Sequence, residues 1–435
     1  MTGASTPETG RVTDRPAAAR GRFYGWTVLF LFWLVLAVNL AFPMYGSGVI
    51  SGYMVEDLGL SGSELGLSFG VFMAMMGLPA PLVALGIQRF GVRAALLVGS
   101  LVIAIGSLLL ATVVESTAGV IVAFGLITAS GIAIGGNIAT QIGIGRWFVR
   151  KRALALSIMF SANGLGGLVA APLLDWTIAY TGDWRSGWML VGGLSVSIGI
   201  AAAMFVRERP EDLGQLPDGD GHDAKRTQRP SPKVHITQED FSFAEARGTF
   251  AFWAIVAAIM TNLMGLTLVL SHGVPNLRHL GQAPAEAAMA VSIISGGTLV
   301  GKLVLGSLGD RIEPRLLWAL SCLLIACGLF AAPFATSTIG IALYAAPFGV
   351  GFGAALVLQT AMLMNYFGMK VFGTLIGVAL FAQTLVGAMT PIVGGWLFDS
   401  QGNYSAAFLI AATVNLFGAA ILSVVRPPRK PRPVI

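Results

Sequence analysis

Residues Ala287 to Gly309 read AAMAVSIISGGTLVGKLVLGSLG, an apolar stretch of helical length that holds one charged residue, Lys302. At about 1.5 Å of rise per residue the stretch crosses a hydrocarbon slab of about 30 Å, and Lys302 lies roughly 12 Å from Asp310 at the expected cytoplasmic edge. A lysine at that depth costs at least ~2.5–3.5 kcal/mol on insertion scales, so it faces a protein interior or a watery cavity. At helical spacing Ser295, Thr298, Lys302, Gly306 and Gly309 share one small, polar stripe, while Leu299, Val300, Leu303 and Val304 cover the other faces. A pore-lining helix has this pattern. The competing reading is a lysine that snorkels to the interface, but an arm of about 6 Å covers only part of the distance.

Composition agrees with a membrane setting. The 435 residues are 55% hydrophobic and 11% charged; a soluble chain carries about twice that charged share, which makes this a polytopic membrane protein. The net charge of +6 does not point to nucleic acid, because the basic residues are dispersed among short loops. Cys322 and Cys327 fall in one apolar helix, so neither a disulfide nor a metal site is expected. The first 22 residues are polar and hold Arg11, Arg15, Arg20 and Arg22. The apolar run after them is too long for a signal-peptide core, and reads as a retained first helix.

Twelve spans are expected, at 26–50, 64–86, 94–113, 119–145, 152–175, 185–206, 249–270, 287–309, 315–334, 338–363, 371–395 and 404–425. With the N-terminus inside, all of the 27 Lys and Arg except Arg185, Arg278 and Lys302 fall on the cytoplasmic side. Outer loops instead hold Glu56, Asp57, Glu64, Glu115, Asp183, Glu286 and Asp399. Such sorting follows the positive-inside rule and predicts cytoplasmic N- and C-termini in a cell (inner or plasma) membrane. Residues 1–206 form the N-terminal six-helix half, 207–247 a cytoplasmic linker loop, and 248–435 the C-terminal half. In the linker, residues 218–223 and 229–232 are polar and rich in breakers, and Ser242-Phe-Ala-Glu245 has the form of a capping box.

The halves repeat. At an offset of 220, Phe124 matches Tyr344, Gly131 matches Gly351, Asn163 matches Gln383, Gly167 matches Gly387, and Gly182-Asp-Trp184 matches Gly402-Asn-Tyr404. At an offset of 222, Gln88-Arg-Phe-Gly-Val-Arg93 matches Asp310-Arg-Ile-Glu-Pro-Arg315. Six spans per offset give both halves the same orientation, which predicts a substrate site between them near the midplane, reached by rocking.

Gln88 to Arg93 and Gly306 to Arg315 resemble the gating motif of the major facilitator superfamily. That resemblance implies gating roles for Asp310, Arg311, Arg315, Arg89 and Arg93. Gln88 stands where the first copy would carry its aspartate. Phe23-Tyr-Gly-Trp26, Ala41-Phe-Pro-Met44, Arg146-Trp-Phe-Val-Arg-Lys-Arg-Ala-Leu-Ala155 with Ser161-Ala-Asn-Gly-Leu-Gly-Gly167, and Gly182-Asp-Trp-Arg185 are similar to segments of the monocarboxylate transporter branch, including its bacterial oxalate:formate exchanger relatives. The resemblance covers essentially the whole chain. It implies the all-α major facilitator fold of twelve transmembrane helices, and puts Lys302 where the branch carries a carboxylate-binding arginine. The chain departs from the proton-coupled pattern at two places: Thr298 replaces an aspartate and Met44 replaces a lysine. Its helix eleven, around Gln383 and Thr384, is uncharged where the exchanger has a second lysine.

No carboxylate falls near the middle of any span, Asp175 being the nearest. A lone Lys302 is best explained by an anionic ligand that neutralises it. Candidate substrate-binding residues are Lys302, Thr298, Asn137, Asn163, Gln383, Tyr344, Phe124 and Tyr45. Asn39, Gln141, Gln359 and Phe381 are further candidates, although such groups also serve simply to join helices. Arg146, His272, Arg278 and His279 would be needed to hold a second carboxylate. No phosphate loop, metal cluster or catalytic triad appears, so neither a cofactor nor enzyme activity is expected. The expected function is secondary active transport of a small organic anion, most simply a monocarboxylate, by alternating access with a proton or a counter-anion. The expected partners are that anion and the lipid bilayer, and the expected state is a monomer. The alternatives are a hydrophobic-drug exporter on the same fold and a non-transporting membrane sensor.

Overall fold

In hydrocarbon every backbone N–H and C=O needs an internal partner, and a helix supplies them all. The computed structural model describes residues 23–60, 62–219 and 234–430, and most of these are helical. Arg11, Arg15, Arg20, Arg22, the breaker-rich residues 220–223 and 229–232, and Arg432 lie outside the described residues.

The helices, in order, are α1 (25–58), α2 (62–90), α3 (92–112), α4 (Thr117–Trp147), α5 (Arg152–Thr181), α6 (Arg185–Phe205), α7 (Phe250–His279), α8 (Ala285–Asp310), α9 (Pro314–Phe334), α10 (Thr338–Phe367), α11 (Phe372–Gln401) and α12 (Ser405–Val424). Among the described residues eleven runs are long and apolar enough to cross a membrane, with Gly66–Gly77 a shorter apolar run inside α2. Twelve helices result because the run Ala80–Thr112 breaks at Gly91, whose φ of 88° and ψ of 169° are non-helical. α2 has a second break at Leu78 and Pro79, where proline lacks the N–H that a continuous helix needs. Several helices outrun their expected spans. α5 continues to Thr181 and α7 to His279.

The repeat is visible in the packing. α3 lies against α4 and α6, and α9 lies against α10 and α12; α1 packs on α5 as α7 packs on α11. Gly131 sets the α3–α4 approach: a Cβ there would stand 2.7 Å from the Gly99 carbonyl oxygen. Its match Gly351 would meet the Ser321 oxygen of α9 at 2.5 Å. Small residues at both positions let the backbones touch. The halves meet along α2–α11 and α5–α8.

The two ends of the bundle differ in charge. One end, called here the basic end, carries Arg89, Arg93, Arg146, Arg150, Arg311, Arg315 and Lys370. The other carries Asp57, Glu64, Glu115, Asp183, Glu286 and Asp399. Between them, Leu82, Leu168, Ile339 and Ile392 are exposed, as helix faces in lipid would be.

Candidate functional site

The site starts from an irregularity in α8. Residues Gly301–Gly306 form a π-helical turn, an arrangement that inserts a residue into the register and recurs at functional positions. It turns Lys302 inward: the residue is 5% exposed, while Val300, Leu303 and Val304 face outward. The Lys302 Nζ donates to the Phe160 carbonyl of α5, 3.2 Å away. Lys302 therefore does not snorkel to the interface but bridges the two halves. Among the described residues no acidic side chain pairs with it.

The other expected binding residues divide into two groups. Asn137 and Asn163 are half-buried, and each has a buried amide oxygen with no hydrogen-bond partner. Asn137 opens the second part of α4 just after a break at Gly136 (φ −100°, ψ −123°). Gln383 is half-buried on α11, and Tyr45 is exposed on α1 with its ring near Gly167 of α5. Thr298 donates to the Ile294 carbonyl within its own helix. Phe124 and Tyr344 instead pack inside their own halves. Phe124 stacks on Phe72 at 4.4 Å and lies beside Trp188, and Tyr344 lies against Phe408 with its hydroxyl beside Gly273. Asn39 likewise serves the N-terminal core by bonding Ser100.

The basic end holds the halves together. Asp310 accepts the backbone N–H groups of Ala153 (2.8 Å) and Leu154 (2.9 Å) at the start of α5. A carboxylate there satisfies orphan donors and meets the positive end of the helix dipole. Gln88, in the matching place, donates to the Thr374 hydroxyl at the start of α11, 3.0 Å away. Gln141 accepts from Thr360 at 3.2 Å, again across the halves. Arg93, Arg315 and Arg89, also expected to gate, make contacts within their own halves. The Arg93 guanidinium donates to the Ala203 carbonyl of α6, that of Arg315 to the Val425 carbonyl, and Arg89 lies 5.4 Å from the Phe90 ring. Arg311 is exposed.

Sequence reasoning missed the residue at the centre of this end. Arg152, 4% exposed, donates to the Phe148 and Gly145 carbonyls of its own half and to Asn365 Oδ1 of the other at 2.8 Å. Asp218, Asp310 and Asp240 all act on it electrostatically. Asp218, in the linker, accepts the N–H groups of Val149, Arg150 and Lys151, and Asp240 accepts those of Met369 and Lys370. Glu208 pairs with Arg146 and accepts the Arg93 N–H. Arg146 is thus a structural cation. His272 bonds the Pro391 carbonyl, Arg278 the Gln282 carbonyl, and His279 packs on Phe398. Among the described residues, no second cation stands beside Lys302.

A cavity of about 310 Å³ between α7, α11 and α12 is lined by apolar residues such as Met264, Leu268, Met389 and Ile410. It draws nothing from α5 or α8 and is separate from Lys302.

Comparisons with known proteins agree with this architecture. The family model "Major Facilitator Superfamily" matches residues 31–275 and 273–435. The chain is 25% identical over 403 residues to monocarboxylate transporter 4 of Mus musculus, covering 92% of this chain and 82% of that protein. It is 26% identical over 336 residues to monocarboxylate transporter 13 of Bos taurus, covering 77% and 74%. The fold is similar to the proton:xylose symporter XylE bound to 6-bromo-6-deoxy-D-glucose (TM-score 0.67, 16% identity, 92% of this chain and 95% of that one). It is similar to the E. coli fucose:proton symporter FucP to the same degree (TM-score 0.67, 15% identity, 92% and 99%). The chain, a multi-pass membrane transporter and not an enzyme, belongs to the major facilitator superfamily, on its monocarboxylate transporter-like branch.

Proposed function

We propose that the protein is a secondary active transporter of a small organic anion, most simply a monocarboxylate, and that Lys302 binds the carboxylate between the halves. One observation carries this reading. Among the described residues, the ammonium buried at the seam has a single backbone carbonyl as its partner, and a buried charge without a counter-charge is costly enough to call for an anionic ligand. A ligand carboxylate would take the place of the Phe160 carbonyl. Asn137, Asn163, Thr298, Gln383 and Tyr45 would supply polar contacts to the rest of the ligand, the first two with amide oxygens that lack a hydrogen-bond partner. Phe124 and Tyr344 would support their helices from behind.

The bonds made by Asp310, Gln88, Arg152 and Gln141 join the halves at the basic end, while α8 presents exposed Val291, Ser292, Ser295 and Gly296 toward the other. With the basic end cytoplasmic, both termini are inside and this is the outward-facing state in a plasma or inner membrane. Transport then requires the Asp310 contacts to break, coupled to a proton or to a counter-anion. The linker segments 207–219 and 234–247 brace the ends of the helices, through Asp218 on the start of α5 and Asp240 on the start of α11.

Counterflow in proteoliposomes loaded in turn with lactate, oxalate and benzoate tests the reading. Saturable exchange of one anion, lost in Lys302→Ala while the variant still folds, is the expected result. Equal transport by Lys302→Ala refutes it.

A further inference from the structure

Lys302 can do one thing that an arginine at its place could not: release a proton. Its position leaves it little room to escape the question. A Cβ on neighbouring Gly301 would stand 2.1 Å from the Val350 carbonyl oxygen, so the turn is held against α10 and cannot swing the lysine out.

The elements packed against this turn are α5, α10 and the adjoining turns of α8. Their titratable groups are engaged elsewhere. On α5, Arg152 bonds Gly145, Phe148 and Asn365, Asp175 accepts from Tyr53, and Tyr180 stacks on Trp176. On α10, Tyr366 donates to Glu313 and Tyr344 sits beside Gly273. On α8, Asp310 caps α5 and Glu286 accepts the Ala283 N–H. Among the described residues, no carboxylate therefore stands ready to compensate the ammonium or to relay its proton.

A carrier must change state both loaded and empty. Loaded, Lys302 is neutralised by the ligand. Empty and protonated, it is a buried charge facing only a carbonyl, and moving the halves past each other in that condition is costly. A neutral amine still donates to the Phe160 carbonyl and carries no such cost. Building on the anion-carrier reading above, we propose that Lys302 is also the proton carrier of the cycle. The amine takes a proton from water on the loading side and the resulting ammonium binds the carboxylate. After the change of state the carboxylate leaves and the ammonium gives its proton to water on the release side. The empty carrier returns with a neutral amine. One proton and one monocarboxylate cross per cycle, with no net charge.

Lys302→Arg separates the two roles, since it keeps the positive charge and removes the labile proton. The full-length protein in liposomes is given lactate, oxalate and benzoate, with counterflow and net uptake under an inward proton gradient measured side by side. Wild type should show both, with about one proton taken up per anion by an internal pH dye. In Lys302→Arg, net uptake should fall at least ~10-fold further than counterflow does, whatever the change in counterflow itself. Net uptake that keeps pace with counterflow in Lys302→Arg overturns the proposal, and so does wild-type counterflow without proton-driven uptake. Absence of wild-type counterflow for all three anions overturns the anion reading as well. If Lys302→Arg does not fold, the wild type decides. Acidifying the release side should slow net uptake and leave counterflow unchanged, and net uptake indifferent to that pH overturns the proposal.

Discussion

The two inner turns of the repeat occupy matching places and hold the halves together by different means. Asp310, at the end of α8, puts a carboxylate on the start of α5 and takes two backbone N–H groups. Gln88, in the last turn of α2, puts a neutral amide on the start of α11 and makes one bond, to Thr374. The first contact draws on the helix dipole and the second does not. The α5 turn is also fixed from behind by Asp218 and from within by Arg152, whereas among the described residues the α11 turn has Asp240 alone behind it. A duplicated backbone thus carries one charged lock and one neutral latch. Rocking need not break both contacts at equal cost.

The strongest way to break this asymmetry is Arg152→Ala. It leaves Asn365 Oδ1 and two carbonyls without their donor in a buried site, and should cost about 3 kcal/mol of stability, read as a lower melting temperature in detergent. Asp310→Asn comes next. Losing the charge at a helix N-terminus should cost about 0.3–2 kcal/mol, seen as faster hydrogen exchange at the Ala153 and Leu154 amides. Unchanged exchange there would mean that Asp310 is not a lock. Gln88→Asp sharpens the comparison in the other direction. A carboxylate facing the start of α11 should favour the state closed at the basic end by less than about 1 kcal/mol, with slower exchange at the first amides of α11.

The smallest effect expected is at His235, in the linker. Its backbone N–H donates to Glu313 and its ring meets the Tyr366 ring edge-on. Burial pushes its pKa below the usual histidine value, partly opposed by Glu313. The folded pKa lies below the unfolded one, so the docked linker is favoured above about pH 6.5. That preference fades as the pH falls below it. Hydrogen-exchange protection over residues 234–240, taken relative to the intrinsic rate at each pH, should fall slightly between pH 7 and pH 5, and constant protection would remove His235 from the account.

Much of this molecule was legible from its sequence because the bilayer imposes a simple rule on long apolar segments. The twelve helices follow from it, and the matched glycines mark the same packing in both halves. Gly182 and Gly402 close α5 and α11 with nearly the same left-handed geometry, φ 72° and 70°. Ser242 and Glu245 form the expected capping box. Burial of Lys302 was readable from its depth, but the π-helical turn that aims it was not, since no local residue pattern announces an inserted residue. The Arg152 cluster was hidden for another reason. Arg152 and Asp218 look like solvated loop charges until the segment 207–219 packs back on the helix ends and removes them from water. Asp218 has a side chain only 2% exposed, a consequence of tertiary docking that composition cannot convey. Phe124 and Tyr344 show the converse: aromatic residues in such helices more often pack than line a cavity, and both make packing contacts within their own halves.

The central claim is that the Lys302 ammonium holds the carboxylate. Equilibrium binding of labelled lactate, oxalate and benzoate to the protein in nanodiscs, wild type against Lys302→Ala, tests it most directly. The account predicts saturable binding of at least one anion by wild type, weakened at least ~10-fold in a folded Lys302→Ala, the equivalent of about 1.4 kcal/mol. Equal affinity in the two proteins would contradict it.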